Sequence, residues 1–504
     1  MEGVATPEPK EKTSWLILVV LALAQFILIV DVTIVNIALP SIQRTFALSN
    51  TNLQWVVTAY ALTFGGFLLL GGRSADLFER RTMFLSGLTV FTLASLGSGL
   101  ARTGDMLITF RAIQGLAGAF MSPAALSIVL VTYSEGSQRN VALAAWGAVA
   151  SAGAALGVLL GGVFTQYLGW RWNFFINVPI GVVVFIATIM LIGKYRSQSV
   201  SRSLDLVSAA LVTGGLMTLV YGLTKASTYG WGDHRTLTYF GISAVALVAF
   251  VVNETAVKYP LMPLRIFRVR NIAGADAVML LMSAGLFSSI FLVTLYVQDL
   301  LGYSPIKTGL SFLVFPACVA IAATNVPRLI RKIGFRPILI GAPMLMSAGL
   351  FFESGIPLSG SYWTYVAPGM VLIALGMGAT FVSVTIAATS GVAKNESGLA
   401  SGLVTTSQQI GGATGLAAIT AVAASSTTHY LSNLHLVAPP TPDVVAAATV
   451  HGFQDGFLAA GFFALGAAIL AALFIHSPKA VSAPEQTASP LPASESVGPL
   501  QAES

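Results

Sequence analysis

The sequence predicts an all-α integral membrane protein with about fourteen transmembrane helices. Three observations predict it: few charged residues, apolar runs of membrane-spanning length along nearly the whole chain, and Lys and Arg segregated into alternate loops. The 504 residues are 55% hydrophobic and 9% charged, where roughly a quarter of a soluble domain is charged. A water-soluble fold is thereby excluded. An apolar stretch of about twenty residues crosses the hydrocarbon core as a helix, so the elements can be counted as such stretches.

Apolar runs lie near residues 15–39, 53–72, 83–101, 106–131, 140–167, 173–193, 205–225, 237–257, 273–300, 306–329, 338–354, 362–390, 399–424 and 455–476. The first follows a polar stretch ending in Lys10 and Lys12. It is too long for the apolar region of a signal peptide and has no small-residue cleavage site, so it reads as a spanning helix. Positive charge is retained on the cytoplasmic side of a membrane. With the N-terminus inside, the inner loops hold Arg73, Arg80, Arg81, Arg139, Lys194, Arg196, Arg202, Lys258, Arg265, Arg268, Arg270, Arg328, Arg331, Lys332, Arg336 and Lys394. The outer loops hold Arg44, Arg102, Arg171, Lys225, Arg235 and Lys307. A miscount of one helix would scramble this separation. The net charge of +6 therefore reflects membrane topology rather than nucleic-acid binding, and both termini are expected in the cytoplasm of a multi-pass plasma (inner) membrane protein in contact with lipid.

An internal repeat is visible in Gly72-Arg-Ser-Ala-Asp76-Leu-Phe-Glu-Arg80-Arg81 and Pro327-Arg-Leu-Ile-Arg331-Lys-Ile-Gly334-Phe-Arg336, each ending in basic residues before the next apolar run. Repeat-built transporters produce such echoes. The expected organisation is a cytoplasmic segment 1–14, a six-helix bundle 15–193, two linking helices with their loops at 194–272, a second six-helix bundle 273–476, and a cytoplasmic tail 477–504. The tail, rich in Ala, Ser, Pro and Glu, is expected to be disordered.

Soluble-type chemistry has no visible machinery. The lone Cys318 lies in an apolar run and reads as a packing residue. His429, His435 and His451 share what reads as a long outer loop before the last helix, and their spacing matches no metal-ligand motif. Nucleophile elbow, P-loop and zinc-protease patterns are missing from the sequence, so neither an enzyme nor a cofactor is expected. A gradient must then supply the energy for any transport.

A charge at membrane depth costs several kcal/mol and is a functional candidate by default. Asp31 stands inside the first run, in Ile29-Val-Asp31-Val-Thr33-Ile-Val-Asn36-Ile-Ala-Leu-Pro40. A carboxyl in apolar surroundings can take up and release a proton or meet a cationic substrate. Arg111 is the basic residue well inside a span, in Leu107-Ile-Thr-Phe-Arg111-Ala-Ile-Gln114-Gly115. It stays protonated and needs an acceptor, for which Asp31 and Gln114 are the candidates. Asp276, near the start of the ninth run, reads first as a helix N-terminal carboxylate and second as a further titrating group. Glu254 and Lys258 read as an interfacial i, i+4 pair. Gly153, Gly157 and Gly161, with Gly162 beside them, strip one helix face of side chains, which suits either a moving contact between halves or a closely packed rigid pair. Gly72 to Arg81 reads as a short inner loop whose Asp76, Arg80 and Arg81 bridge helix ends or bind anionic lipid.

Together these residues resemble the fourteen-spanner drug:proton antiporters of the major facilitator superfamily, over nearly the whole chain. Asp31-Val-Thr33-Ile-Val-Asn36-Ile-Ala38-Leu39-Pro40 is similar to the family's helix 1 motif, Gly72-x-x-Ala75-Asp76-x-x-x-Arg80-Arg81 to its loop motif, and Arg111-x-x-Gln114-Gly115 to the helix 4 motif associated with proton coupling. Gly169-Trp170-Arg171-Trp172-x-Phe174-x-Ile176-Asn177-Val178-Pro179 resembles the start of helix 6, and Gly398-Leu-Ala400-Ser401-Gly402 with Gln409-x-Gly411-Gly412 resembles helix 13. The chain departs at Ser74, Leu77 and Glu79, where the family usually has Leu, Arg and Gly, and at Val158, where the helix 5 antiporter motif has proline. Asn325 stands in the helix where some members carry an acid for divalent cations, which implies substrates with one positive charge.

The resemblance implies a major facilitator fold of two six-helix bundles plus two inserted helices. It implies a secondary transporter that exports amphipathic, cationic drugs or toxic compounds in exchange for protons by alternating access. Asp31, Arg111 and Gln114 would couple proton and substrate; Asn36, Gly72, Asp76, Arg80, Arg81, Gly153, Gly157, Gly161 and Gly162 would shape gating contacts. The other readings are proton-coupled uptake of a small solute, a self-resistance exporter of a natural product or lipid, and a membrane sensor. Exchange of one proton for one monovalent cation moves no net charge, so a voltage-driven cycle needs a second titrating group, for which Asp276 is the candidate.

Overall fold

A computed structural model describes residues 11–133, 136–193, 205–390, 397–435 and 439–476, and among them all regular structure is helical. Lys194, Arg196, Arg202, Lys394 and the tail expected to be disordered lie outside the described residues. Among the described residues fourteen helices are long and apolar enough to cross a membrane: α1 (Trp15–Phe46), α2 (Asn50–Ala75), α3 (Arg80–Gly99), α4 (Gly104–Thr132), α5 (Val141–Tyr167), α6 (Trp172–Leu191), α7 (Leu206–Tyr229), α8 (His234–Ala256), α9 (Arg270–Leu300), α10 (Pro305–Ile333), α11 (Phe335–Glu353), α12 (Ala367–Thr389), α13 (Gly398–Asn433) and α14 (Pro442–Phe474).

The count agrees with the apolar runs, and the boundaries depart from them where helix outlasts hydropathy. α1 continues through Pro40 to Phe46, which puts Arg44 in its last turn rather than in a loop. Proline there leaves the Asn36 carbonyl without its intrahelical donor, and burial of Ile37, Leu39 and Ile42 carries the helix on. Helix reaches Leu77 and resumes at Arg80, so the supposed loop from Gly72 to Arg81 is mostly helix around a Phe78–Glu79 connection. The supposed long loop before the last helix is corrected likewise. One helix runs to Asn433 and the next starts at Pro442, where proline suits a first turn, so His429 and His451 are helical. Glu254 does not reach for Lys258: it is buried and accepts hydrogen bonds from the backbone of Leu261 (3.3 Å) and Met262 (2.8 Å), closing the turn after α8.

α1 to α6 pack against one another, α2 on α4, α3 on α4 and α1 on α5; α9 to α14 do the same, α9 on α13 and α11 on α12 and α14. α7 and α8 form a hairpin whose α7 lies against both α2 and α13. Gln54 of α2 donates to Thr224 of α7 at 2.9 Å, fixing that contact inside the protein.

The face where α1 begins is termed here the near face and the opposite one the far face. The two groups meet tightly at the far face. Gln298 of α9 donates to the Ile37 carbonyl at 2.9 Å, and Arg44 pairs with Asp299 at 3.2 Å. Both α9 residues lie in a π turn, Tyr296–Leu300. Beside them the Ile306 backbone donates to Gln166 of α5 at 3.2 Å. A Cβ on Gly309 would come within 2.7 Å of the Val158 carbonyl, and one on Gly162 within 2.8 Å of the Pro305 carbonyl.

Candidate functional site

Asp31 and Arg111 meet inside the first group of helices, where the apolar lengths of α1 and α4 place them at the same depth. Arg111 Nη1 donates to Asp31 Oδ2 and, at 3.1 Å, to Gln114 Oε1. Gln114 Nε2 and Asn177 Nδ2 donate to Asp31 Oδ1 at 3.0 and 2.9 Å. Asp31 and Gln114 are 0% exposed, and Arg111 and Asn177 are 1% exposed. One oxygen therefore receives the guanidinium and the other two amide donors, which is what a desolvated ion pair requires if it is not to be destabilising.

The rest of the network locks this geometry to α2, α3 and α6. Arg111 Nε donates to the Val56 carbonyl at 3.0 Å, and its guanidinium lies 4.4 Å from the Tyr60 ring centroid. That stacking adds cation–π attraction in a dry setting. Gly115 permits it, because any side chain there would overlap the Tyr60 carbonyl. Ser98 donates to Gln114 Oε1 at 3.2 Å; Asn177 also donates to Ser95 Oγ at 3.0 Å, and Ser95 passes its own proton to the Phe174 carbonyl at 2.9 Å. The arrangement ties α1 to α4 and α6 through one buried carboxylate.

The other candidates lie elsewhere. Asn36 folds back to donate to the Val32 carbonyl of its own helix at 3.0 Å. Gly153 and Gly161 pack on α1, where added Cβ atoms would stand 3.3 Å from Ile29 and 2.8 Å from the Ile34 carbonyl, and Gly157 faces Thr33 and Val30 of the same helix. Those three thus join α5 to α1 within one group, whereas Gly162 meets α10 of the other. Gly72 has Pro123 of α4 in ordinary contact, and Arg81 donates to the Ile189 carbonyl at 3.0 Å. Arg80 belongs to the first turn of α3, and the Asp76 side chain lies outside what the structure describes. Asp276 is buried in α9 beside Ser407 of α13, with neither carboxyl oxygen in a hydrogen bond of ordinary geometry.

Asn177, Tyr60, Ser95 and Ser98 also belong to the site, and of these the sequence offered only Asn177, within the helix 6 motif and without a role at Asp31. Asn177 carried a signal, as a strongly polar side chain in the apolar run Ile176–Leu191. The serines carried none, because a membrane serine commonly satisfies itself on its own helix.

The polar cluster, the halves and the far-face seal can be set beside known proteins. Residues 21–416 match the family model of the Major Facilitator Superfamily. The chain is 37% identical to the puromycin resistance protein pur8 of Streptomyces alboniger, over 94% of this chain and 92% of that protein. It is 37% identical to the cephamycin export protein CmcT of Amycolatopsis lactamdurans (83% and 87% covered) and 33% identical to the multidrug resistance protein Stp of Mycobacterium tuberculosis (82% and 76%). Its fold is similar to an inward-facing, occupied bacterial homologue of the human lysosomal transporter Spinster, with a TM-score of 0.69 at 15% identity over 93% of this chain and 100% of that one. The expected family is thus confirmed across most of the sequence, and its members here are transporters rather than enzymes: the chain belongs to the Major Facilitator Superfamily.

Proposed function

We propose that the protein is a secondary transporter exporting amphipathic, cationic compounds in exchange for protons, with its near face in the cytoplasm and alternating access between α1–α6 and α9–α14. The observation that carries this reading is the fully buried Asp31 carboxylate shared by Arg111, Gln114 and Asn177. A proton on Asp31 removes the charge that Arg111 pairs with. The guanidinium then keeps Gln114 Oε1, the Val56 carbonyl and the Tyr60 ring, while α1 loses its hold on α4 and α6.

α1 is also the helix that carries the far-face seal through Ile37 and Arg44, and α5 rides on it through Gly153, Gly157 and Gly161. The proton affinity of Asp31 is thereby linked to the state of the far face: the open arrangement takes a proton up from the far side, and closing carries it in and favours its release at the near face by restoring the pair with Arg111, as a population shift between two arrangements requires. The basic residues of the near-face connections, Arg73, Arg80 and Arg81 among them, support the cytoplasmic assignment and suit contact with anionic lipid. The buried state of Asp31 separates it from substrate in this arrangement, so a cation would meet it only after α1 and α4 part.

The names of the relatives favour a self-resistance role in particular, with a natural product of the producing cell or a related antibiotic as cargo. Everted vesicles should release protons when an exported cationic compound is added, and Asp31→Asn should abolish this while expression is preserved. Undiminished coupling in that variant would overturn the assignment.

A further inference from the structure

Glu353, the last residue of α11, plays no part in the scheme above, yet it is a second carboxyl with 0% exposure. Ser289 Oγ of α9 donates to its Oε2 at 2.9 Å, and its Oε1 is buried with no hydrogen-bond partner among the described residues. The space is made by a glycine: a Cβ on Gly369 of α12 would stand 2.7 Å from Glu353 Cγ. Among the described residues no Lys, Arg or His pairs with it. The end of a helix, with its exposed carbonyl dipoles, adds no compensation for a negative charge.

The surroundings offer no hidden counter-charge. α12 has no ionisable side chain, and α9 has none between Asp276 and Tyr296. α14 approaches with Gln454, which donates to the Ile356 carbonyl at 2.8 Å, while its His451 and Asp455 are engaged with Ser426 of α13. α10 carries Arg331 and Lys332 in its last turn at the near face, and Lys307 at its start lies over the Tyr303 ring. The Tyr362 phenol donates its proton to the Ser311 carbonyl at 2.9 Å. A proton is the positive charge left for this group to take.

We propose that Glu353 is a second proton-binding site, coupled to the far face through Ser289. The Ser289 donor sits on α9, the helix whose π turn presents Gln298 and Asp299 to α1. Opening the far face displaces that helix and with it the hydrogen bond that holds the carboxyl. A proton taken up from the far side in the open arrangement is then carried in with the one on Asp31. This rests on the export reading and adds to it a net charge: two protons exchanged for one monovalent cation move one positive charge inward, so the membrane potential multiplies the attainable gradient about fiftyfold per 100 mV.

The test has two arms. Infrared difference spectra of the whole protein in lipid should contain a protonated-carboxyl band that titrates with pH, disappears in Glu353→Gln and shifts in Ser289→Ala. In proteoliposomes, proton–ethidium exchange by the wild type should respond to an imposed potential, and Glu353→Gln should lose that response and release about half as many protons per ethidium. Absence of the band from the wild type, or a voltage response in Glu353→Gln equal to the wild type, overturns the proposal. Ser289→Ala keeps the test open if Glu353→Gln fails to fold, since an unmoved band in it also overturns the proposal. Failure of the wild type to exchange ethidium for protons counts against the export reading alone, and the infrared arm still decides whether Glu353 holds the proton.

Discussion

Gln298 of α9 donates to the backbone carbonyl of Ile37 on α1, 2.9 Å away and across the line between the two helix groups. Ile37 is fully buried there, three residues before the Pro40 that already weakens the hydrogen-bond ladder of α1. A carbonyl oxygen has two acceptor positions, so that of Ile37 can take a bond from outside its helix. The far face is thus closed by backbone as well as by side chains.

Gly309→Leu should hold the far face open. Its Cβ would press within 2.7 Å of the Val158 carbonyl, and overpacking of this kind costs about 1–3 kcal/mol. The closed arrangement should lose about five- to 160-fold in population. Thiol labelling of Ile37→Cys from the far side, in a background with Cys318 replaced, should accelerate accordingly. An unchanged labelling rate would show that the crossing of α5 and α10 does not seal this face.

Arg111→Met should cost about 3–5 kcal/mol, because it strands a buried carboxylate. Adding Asp31→Asn should recover part of that loss, since the stranded charge is then gone. Thermal unfolding in detergent reads both, and a double variant no more stable than Arg111→Met would count against a balanced pair. Neither variant should transport.

Asn177→Ala should destabilise by about 1–3 kcal/mol, because the buried Asp31 Oδ1 keeps only the Gln114 donor and Ser95 Oγ loses the Asn177 amide. Asn36→Ala, which removes a bond to its own helix, should cost clearly less. Equal shifts in melting temperature would place the two asparagines in the same class and remove Asn177 from the site.

Glu254→Ala should leave export intact and loosen the turn after α8. Two backbone donors, the buried Leu261 and the half-buried Met262, lose their acceptor, at about 1–3 kcal/mol. Limited proteolysis near 257–263 should quicken, and unaltered cleavage would mean that the turn is held by other contacts.

Much of this architecture was legible before any coordinates, for a physical reason. Hydrocarbon forbids unpaired backbone and charge, so apolar length reveals helices, and the rare residues Asp31 and Arg111 reveal where polarity is concentrated. What hydropathy does not report is where a helix stops once it leaves the apolar layer. Ser425–Asn433 is polar enough to end a run, and Asp443, His451 and Gln454 interrupt the apolar residues of Pro442–Gln454, yet both stretches are helical. Partners are also hidden when they are neutral. Ser95 and Ser98 resemble any membrane serine, and the contribution of Val56 is a backbone carbonyl that no side chain announces. Glu353 stands at the end of its apolar run, where interfacial residues are common, and its burial against Gly369 of α12 is not announced by the sequence.

The α7–α8 hairpin makes the two sides of the molecule unlike. The helix groups α1–α6 and α9–α14 meet along two seams, one between α2 and α13 and one between α5 and α10. Because α7 lies against both α2 and α13, the hairpin covers the first seam, and among the described residues the second has no such cover. The molecule therefore has a front and a back in the plane of the membrane.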